Sequence, residues 1–236
     1  MTLQVLVIGG TGRMGRHIAQ KLVHRGEQVT ILSRNAEKSK DEELANTTLV
    51  NGSILDKEKI EEHGANKDAI VMVIEPSFNP LNLKNSPKKL FIEGQQNVIE
   101  AAKQNSVPIL LISQIYITRP HKMPLLSGAI KHRGEGEELL RSSGLPYTII
   151  RAAWLEDTSD GQKSIRFEQG DTGDGKITRE DVAEVCVQSI YHSDAHHKTF
   201  EIYNEEGLPI NDWQKVFSTL DVDQKNSEII RTTDRA

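Results

Sequence analysis

Short apolar runs recur along the chain at Leu3–Ile8, Val29–Leu32, Leu49–Val50, Ala69–Ile74, Ile109–Ile112, Tyr147–Ile150 and Phe200–Tyr203. Runs of this kind suit strands buried on both faces. Between them the apolar residues return at helical spacing. Met14, Ile18 and Leu22 form one stripe, stopped by Gly26. Asp56 caps DKEKIEEHG, and Ser86–Pro87 opens a helix whose inner face carries Leu90, Phe91, Val98, Ile99 and Ala102. Ala36–Leu44 reads as a short exposed helix, and Glu135–Ser143 as a helix ended by Gly144. Thr178 and Asp181 form a capping box for a helix with Val182, Val185, Cys186 and Ile190 inward. Ile210–Leu220 predicts a last helix with Trp213 and Phe217 buried. Strict alternation of strand and helix predicts an α/β fold with a doubly wound parallel sheet of about six or seven strands. One domain spans residues 1–222, and a polar, loose tail covers 223–236. Two stretches, Gln114–Gly128 and Trp154–Ile177, read as irregular, and long loops at strand ends are where such sheets bind ligands.

Composition narrows the partners. The 236 residues carry 29 Lys and Arg against 34 Asp and Glu, a net charge of −5. This balance gives no electrostatic reason to expect nucleic acid or a membrane surface. A single cysteine, Cys186, excludes an internal disulfide framework and a multi-cysteine zinc site. No apolar run approaches the roughly 20 residues of a membrane span. The chain enters its first strand without a signal peptide's regions. The expectation is a cytoplasmic protein with a small-molecule substrate.

The stretch VLVIGGTGRMGRHIAQKL carries the chemistry. Gly9, Gly10, Gly12 and Gly15 fall between the first strand and the first helix. They satisfy both G-x-G-x-x-G and G-x-x-G-x-x-G in the strand–turn–helix context that these patterns need. The first glycines allow a tight turn and close approach of main chain to a pyrophosphate. Gly15 lets the helix pack on the sheet, and the helix N-terminus holds the anion. Arg34 ends the second strand, where a dinucleotide's adenosine ribose lies. An arginine there favours a 2′-phosphate and so NADP(H) over NAD(H). Arg13 is a second candidate phosphate partner.

The motifs GGTGRMG, SRN, NGSILD, GQQNVIEAAKQNSV, LLIS, EELLRSSGLPYTIIR, ITREDVAEV and KTFEIYN span almost the whole chain. In this order they resemble the atypical short-chain dehydrogenase/reductase superfamily, specifically the NAD(P)H-binding NmrA-like group. Flavin and biliverdin reductases are similar in outline. The resemblance implies a Rossmann-like domain whose C-terminal third covers a cleft beside the nicotinamide. It places Gly9, Thr11, Gly12, Arg13 and Met14 on the pyrophosphate, Arg34 on the adenosine phosphate, and Ser53 with Ile54 at the adenine. Relatives usually have Asp at the position of Ser53. After the fourth strand they have small residues, whereas this chain has Glu75–Pro76. An inward-pointing Glu75 would repel phosphates.

The same resemblance exposes a departure. Many members use a Ser, a Tyr and a Lys, the last two spaced Y-x-x-x-K. Alignment back from EELLRSSGL puts Ala129 at the tyrosine and Arg133 at the lysine. Alanine transfers no proton, and arginine stays charged. Three readings are open. The first is a reductase using NADPH on a flavin, quinone or small carbonyl compound, with Ser113 orienting the acceptor, Arg133 holding ribose or substrate, and Tyr116 or His121 giving a proton. The second is a non-catalytic redox sensor with a regulatory protein partner. The third is a relative of nucleotide-sugar epimerases.

Other signals carry less. GDTGDGKIT departs from a calcium loop at Gly170, Thr172 and Asp181 and reads as a turn. His192, His196 and His197 read as a solvated turn rather than a metal site, so no metal is assigned. Cys186 reads as core, and Tyr116 and Trp154 as either pocket or core.

Overall fold

In the computed structural model, residues 1–34, 36, 44, 46–76, 85–158 and 164–224 are described. The elements in chain order are β1 (Gln4–Ile8), α1 (Arg13–His24), β2 (Gln28–Ser33), β3 (Thr47–Asn51), α2 (Lys57–Gly64) and β4 (Ala69–Met72). A π-helical turn (Lys89–Gly94) leads into α3 (Gln95–Lys103), followed by β5 (Ile109–Gln114), α4 (Ser127–Arg141) and β6 (Tyr147–Ala152). β7 (Trp154–Glu156), β8 (Ser164–Glu168), β9 (Lys176–Thr178), α5 (Arg179–Tyr191), β10 (Lys198–Glu205) and α6 (Trp213–Thr219) complete it.

Eight strands form one sheet in the order β3-β2-β1-β4-β5-β6-β10-β8. Seven are parallel to their neighbours, and β8 runs antiparallel to β10 at the edge. This is a Rossmann-like doubly wound domain. The apolar strands are explained by coverage of both faces. Val5, Val7, Val71, Leu110 and Ile112 pack with Ile18, Leu22, Val182 and Cys186 of α1 and α5. Leu6, Ile8, Ile70, Met72 and Leu111 pack with Ile60, Val98 and Leu140 of α2, α3 and α4.

Local signals hold at several ends. Gly26, with φ +83°, closes α1. Asp56 caps α2 by accepting from the Lys59 N–H. The Thr178 hydroxyl accepts from the Asp181 N–H at 3.1 Å and donates to its carboxylate at 2.7 Å.

The sequence expectations differ from the structure in several places, beginning with a sheet of eight strands rather than six or seven, its edge strand β8 antiparallel. α4 begins at Ser127 rather than Glu135, and Ile130 and Arg133 in its first turns are already buried, Arg133 over the Phe91 ring. Trp154–Ile177 is not wholly irregular: it supplies β7 and β9, which pair with each other, and the edge strand β8. β4 ends at Met72, two residues short of Ile74. Trp213 is only partly buried, while Phe217 is fully buried. Asp223, expected in the loose tail, is held by the Tyr147 hydroxyl and by the Thr199 N–H and hydroxyl. Of the exposed helix expected over Ala36–Leu44, the two ends, Ala36 and Leu44, are buried, while residues 37–43, like residues 225–236 of the tail, lie outside the described residues. Among the described residues no helix is long and apolar enough to cross a membrane.

Candidate active site

The strand order reverses between β1 and β4, and a crevice opens at their C-terminal ends. The glycine turn forms one wall. Gly9 adopts φ +85°, and a Cβ there would stand 2.1 Å from the Val73 carbonyl oxygen. A Cβ on Gly15 would stand 2.3 Å from the Gly9 carbonyl oxygen. Gly10 packs on Ile31 and Val7. Gly12 is different: among the described residues its only close neighbour is the Gly9 carbonyl oxygen, at 3.2 Å from an added Cβ. Gly12 caps α1 without a side-chain hydrogen bond, and the first turn holds no acid. The leading N–H groups of α1 are thus offered to an external anion, which is the arrangement a pyrophosphate needs.

The cleft has two halves. A polar half of about 300 Å³ is lined by Gly9, Thr11, Gly12, Ser33, Arg34, Ser53 and Ile54. Here Thr11 and Ser33 share a hydroxyl–hydroxyl hydrogen bond. Ser53 accepts from the Leu55 N–H, Ile54 packs against Gly94, and Arg34 is exposed at the rim. Arg13 is 79% exposed and reaches Asp157 at 3.7 Å, away from that lining. An apolar half of about 320 Å³ is lined by Met14, Ser113, Gln114, Tyr116, Met123, Arg133 and Trp154 among others. Val73, Ile74 and Glu75 line both halves and join them.

The structure brings Ser113, Tyr116 and Arg133 to one cavity, with Ala129 one turn before Arg133 on α4. His121 lies exposed in a 3₁₀ turn (Pro120–Lys122) and does not line the cavity. Arg133 is 7% exposed, with its guanidinium 4.4 Å from the Phe91 ring centre and 3.1 Å from the Glu75 carboxylate. Glu75 is thereby neutralised by Arg133 instead of standing as an unpaired anion beside the phosphate wall. The Trp154 indole N–H donates to the Tyr116 hydroxyl at 3.3 Å, and the two rings meet edge to face. Burial first, and then the nearby Asp174 carboxylate, raise the pKa of the Tyr116 phenol. Trp154 is 49% exposed and closes the outer wall.

Beneath the apolar half runs a buried ionic chain that sequence reasoning missed. The Ser113 hydroxyl donates to Glu137 on α4 at 2.6 Å. Glu137 is clasped by Arg151 of β6 at 2.6 Å and by Arg141 at 2.7 Å. Arg151 also meets Glu201 of β10 at 3.0 Å. Burial raises the pKa of Glu201, against the pull of the Asp171 N–H and Arg151. Asp171, fully buried, accepts from the Tyr116 and Thr118 N–H groups at 2.7 Å each. It thus holds the loop on which Tyr116 takes φ +72°. The acidic stretch that resembled a calcium loop therefore buttresses the cleft. One signal was available: charged residues such as Arg151 and Glu201 inside apolar strand runs rarely go inside unless paired.

Cys186 is fully buried and burial raises its thiol pKa, consistent with core. His192 and His197 pack against Phe217 and Tyr147. Among the described residues, no group of three His, Cys, Asp or Glu side chains is arranged to hold a metal.

The model of the NAD(P)H-binding family matches residues 9–193, and the chain belongs to that family. An uncharacterised chloroplast protein of Arabidopsis thaliana is 30% identical over 92% of this chain and 75% of its own length. The sanguinarine reductase of Eschscholzia californica is 30% identical over 57% of this chain and 53% of that enzyme. A short-chain dehydrogenase/reductase of Veillonella parvula, solved in complex with NADP, has the same fold, with a TM-score of 0.68 at 16% identity over 88% of this chain and 97% of that one. The chain is thus a member of the NAD(P)H-binding family and shares the fold of that solved structure.

Proposed function

We propose that this protein is an NADPH-preferring reductase that passes hydride to a small planar acceptor held in the apolar half of the cleft. The observation that carries this reading is the continuity of the two halves across Val73–Glu75. One half offers a nucleotide cradle, and the other offers aromatic and thioether walls. NADP in the Veillonella parvula structure and the reductase activity in the name of the Eschscholzia californica relative support it.

The dihydronicotinamide would supply the hydride. The chain's own residues would bind and orient. The N–H groups that open α1, with Gly9, Gly10, Thr11, Gly12, Met14 and Gly15, would hold the pyrophosphate. Arg34 would meet the 2′-phosphate at the rim, and Ser53 with Ile54 would flank the adenine. Arg133, immobilised between Phe91 and Glu75, would face the ribose next to the nicotinamide. Ser113 and Tyr116 would orient the acceptor. The test is a fluorescence titration with NADPH and NADH. Arg34→Ala is expected to weaken NADPH by roughly tenfold, the loss of a charge-assisted pair, and NADH by less than about twofold. Equal losses would remove the 2′-phosphate assignment.

A second reading, nucleotide binding without turnover as a redox sensor for a protein partner, is favoured by Ala129 in place of a proton-transferring tyrosine. Retained binding with no NADPH consumption across an acceptor panel would establish it.

A further inference from the structure

We propose that the Glu75 carboxylate is a binding group for the vicinal hydroxyls of a ribose, the sugar that joins a dinucleotide's pyrophosphate to its nicotinamide. This rests on the nucleotide part of the reading above, and it gives a role to an acid that the pyrophosphate cradle itself does not need.

Val73, Ile74 and Glu75 follow β4 and are common to the linings of both halves of the cleft. Val73 and Ile74 are apolar, so among the described residues Glu75 is the one at that joint with a polar side chain. A dinucleotide with its pyrophosphate on the glycine turn and its ring in the apolar half crosses this joint with its second ribose. The group that Glu75 meets is therefore a sugar rather than a phosphate or a ring.

The chemistry of the pair fits the same ligand. Glu75 Oε2 accepts from the Arg133 guanidinium at 3.1 Å. The guanidinium is fixed, because Arg133 is 7% exposed and lies over the Phe91 ring. The carboxylate is open, because Glu75 is 67% exposed. A carboxylate has about four lone-pair sites, and the bond to Arg133 takes one of them. The pair thus presents an acceptor and donors side by side. A phosphate brings acceptors only, and Glu75 would oppose it. An ammonium brings donors only, and Arg133 would oppose it. Two neighbouring hydroxyls bring both, so a vicinal diol is the group that satisfies the pair. Arg133 already orients the carboxylate, so little ordering is left to the moment of binding. An acidic side chain takes the adenosine ribose of NAD by the same physics. Here that end of the cleft carries Arg34, and the acid stands at the joint instead.

The test titrates the full chain by isothermal calorimetry with NADPH, with adenosine 2′,5′-bisphosphate, and with an NADPH analogue whose nicotinamide-side ribose lacks both hydroxyls. Glu75→Ala is expected to weaken NADPH by roughly tenfold, the loss of hydrogen bonds to a charged group, and to leave the bisphosphate, which has no such ribose, within about twofold. The dideoxy analogue is expected to bind the unaltered protein roughly tenfold more weakly than NADPH and to change by less than about twofold in Glu75→Ala. Glu75→Gln keeps an oxygen for Arg133 but no charge, and is expected to weaken NADPH by roughly threefold. Unchanged or tighter NADPH binding in Glu75→Ala would overturn the proposal, the second by showing that the carboxylate repels phosphate. Equal weakening of NADPH and the dideoxy analogue would also overturn it, since Glu75 would then act only by holding Arg133. Absence of NADPH binding to the unaltered protein would overturn the nucleotide reading as well.

Discussion

On the polar side of the cleft the glycine turn presents main chain. Gly9, Gly12 and Gly15 bring peptide groups against one another and leave the first N–H groups of α1 facing outward. On the apolar side the wall is side chains, and they stand on a buried ionic chain from Ser113 through Glu137, Arg151 and Glu201 to Asp171. The first wall depends on the absence of atoms, and a single added methyl disrupts it. The second depends on charges in a place where water cannot rescue them, and removing one strands its partners. Under the proposed function the fixed backbone cradle would serve a pyrophosphate, which is the same in every dinucleotide, and the wall of side chains would be free to vary with the acceptor.

The comparison is broken most severely by cutting the ionic chain. Glu137→Ala leaves Arg151 facing only Glu201 and is expected to destabilise the fold by about 3–5 kcal/mol. The corresponding drop in melting temperature, on the order of 10 °C, is read by thermal denaturation. A drop of a degree or two would mean that water reaches the network. Gly15→Ala attacks the other wall. Its Cβ meets main-chain oxygen at 2.3 Å, so the turn must shift. The expected cost is roughly 2–4 kcal/mol, with NADPH affinity lost together with stability. Gly12→Ala sharpens this contrast, since its Cβ meets little of the protein and should weaken nucleotide binding with the fold intact.

A smaller effect separates the two halves directly. Asp171→Ala frees the Tyr116 and Thr118 N–H groups and should cost about 1–3 kcal/mol, the usual loss when buried donors are left unpaired. Acceptor KM should rise while NADPH affinity stays unchanged by titration. Equal loss of both would show that the halves are one cooperative unit.

The smallest effect is set by pH. Burial raises the phenols of all four tyrosines, Tyr116, Tyr147, Tyr191 and Tyr203, above the ordinary value of 10.0, with Tyr191 pushed up to about 12. The folded state then binds more protons than the unfolded state above pH 10, so stability falls as pH rises through that window. Tyrosinate absorbance should stay low past pH 10 and appear together with unfolding. A normal titration of even one tyrosine in the folded protein would show that its ring is wetter than its packing indicates.

Much of this was legible in the linear chain, for reasons that differ by element. β1, β4 and β5 are continuous apolar runs because both faces are covered, and that signal needs no partner to be read. The turn after β1 was legible because the positive φ at Gly9 and the contact of Gly15 with the Gly9 carbonyl are local demands, although the Val73 carbonyl that crowds Gly9 comes from a distant strand end. Caps at Asp56 and Thr178 are local in the same sense. The region after β6 was not legible. β8 contains Ser164, Arg166 and Glu168, and only pairing with β10 makes it a strand. The start of α4 was hidden because its first turns carry few apolar residues, and Arg133 there is buried over the distant Phe91 ring.

Local spacing and sterics thus determined the alternating fold and the glycine turn, since each is settled within a few residues along the chain, whereas the departure at Ala129 was visible only against the family that the chain resembles. Only the tertiary structure decided that Glu75 and Arg133 neutralise one another across the cleft, and that the Ser113 proton belongs to Glu137. It alone decided that Asp171 holds the Tyr116 loop. Those contacts join residues 24 to 58 positions apart. Their strength comes from removal from water, a property of a position in the folded protein and not of any stretch of sequence.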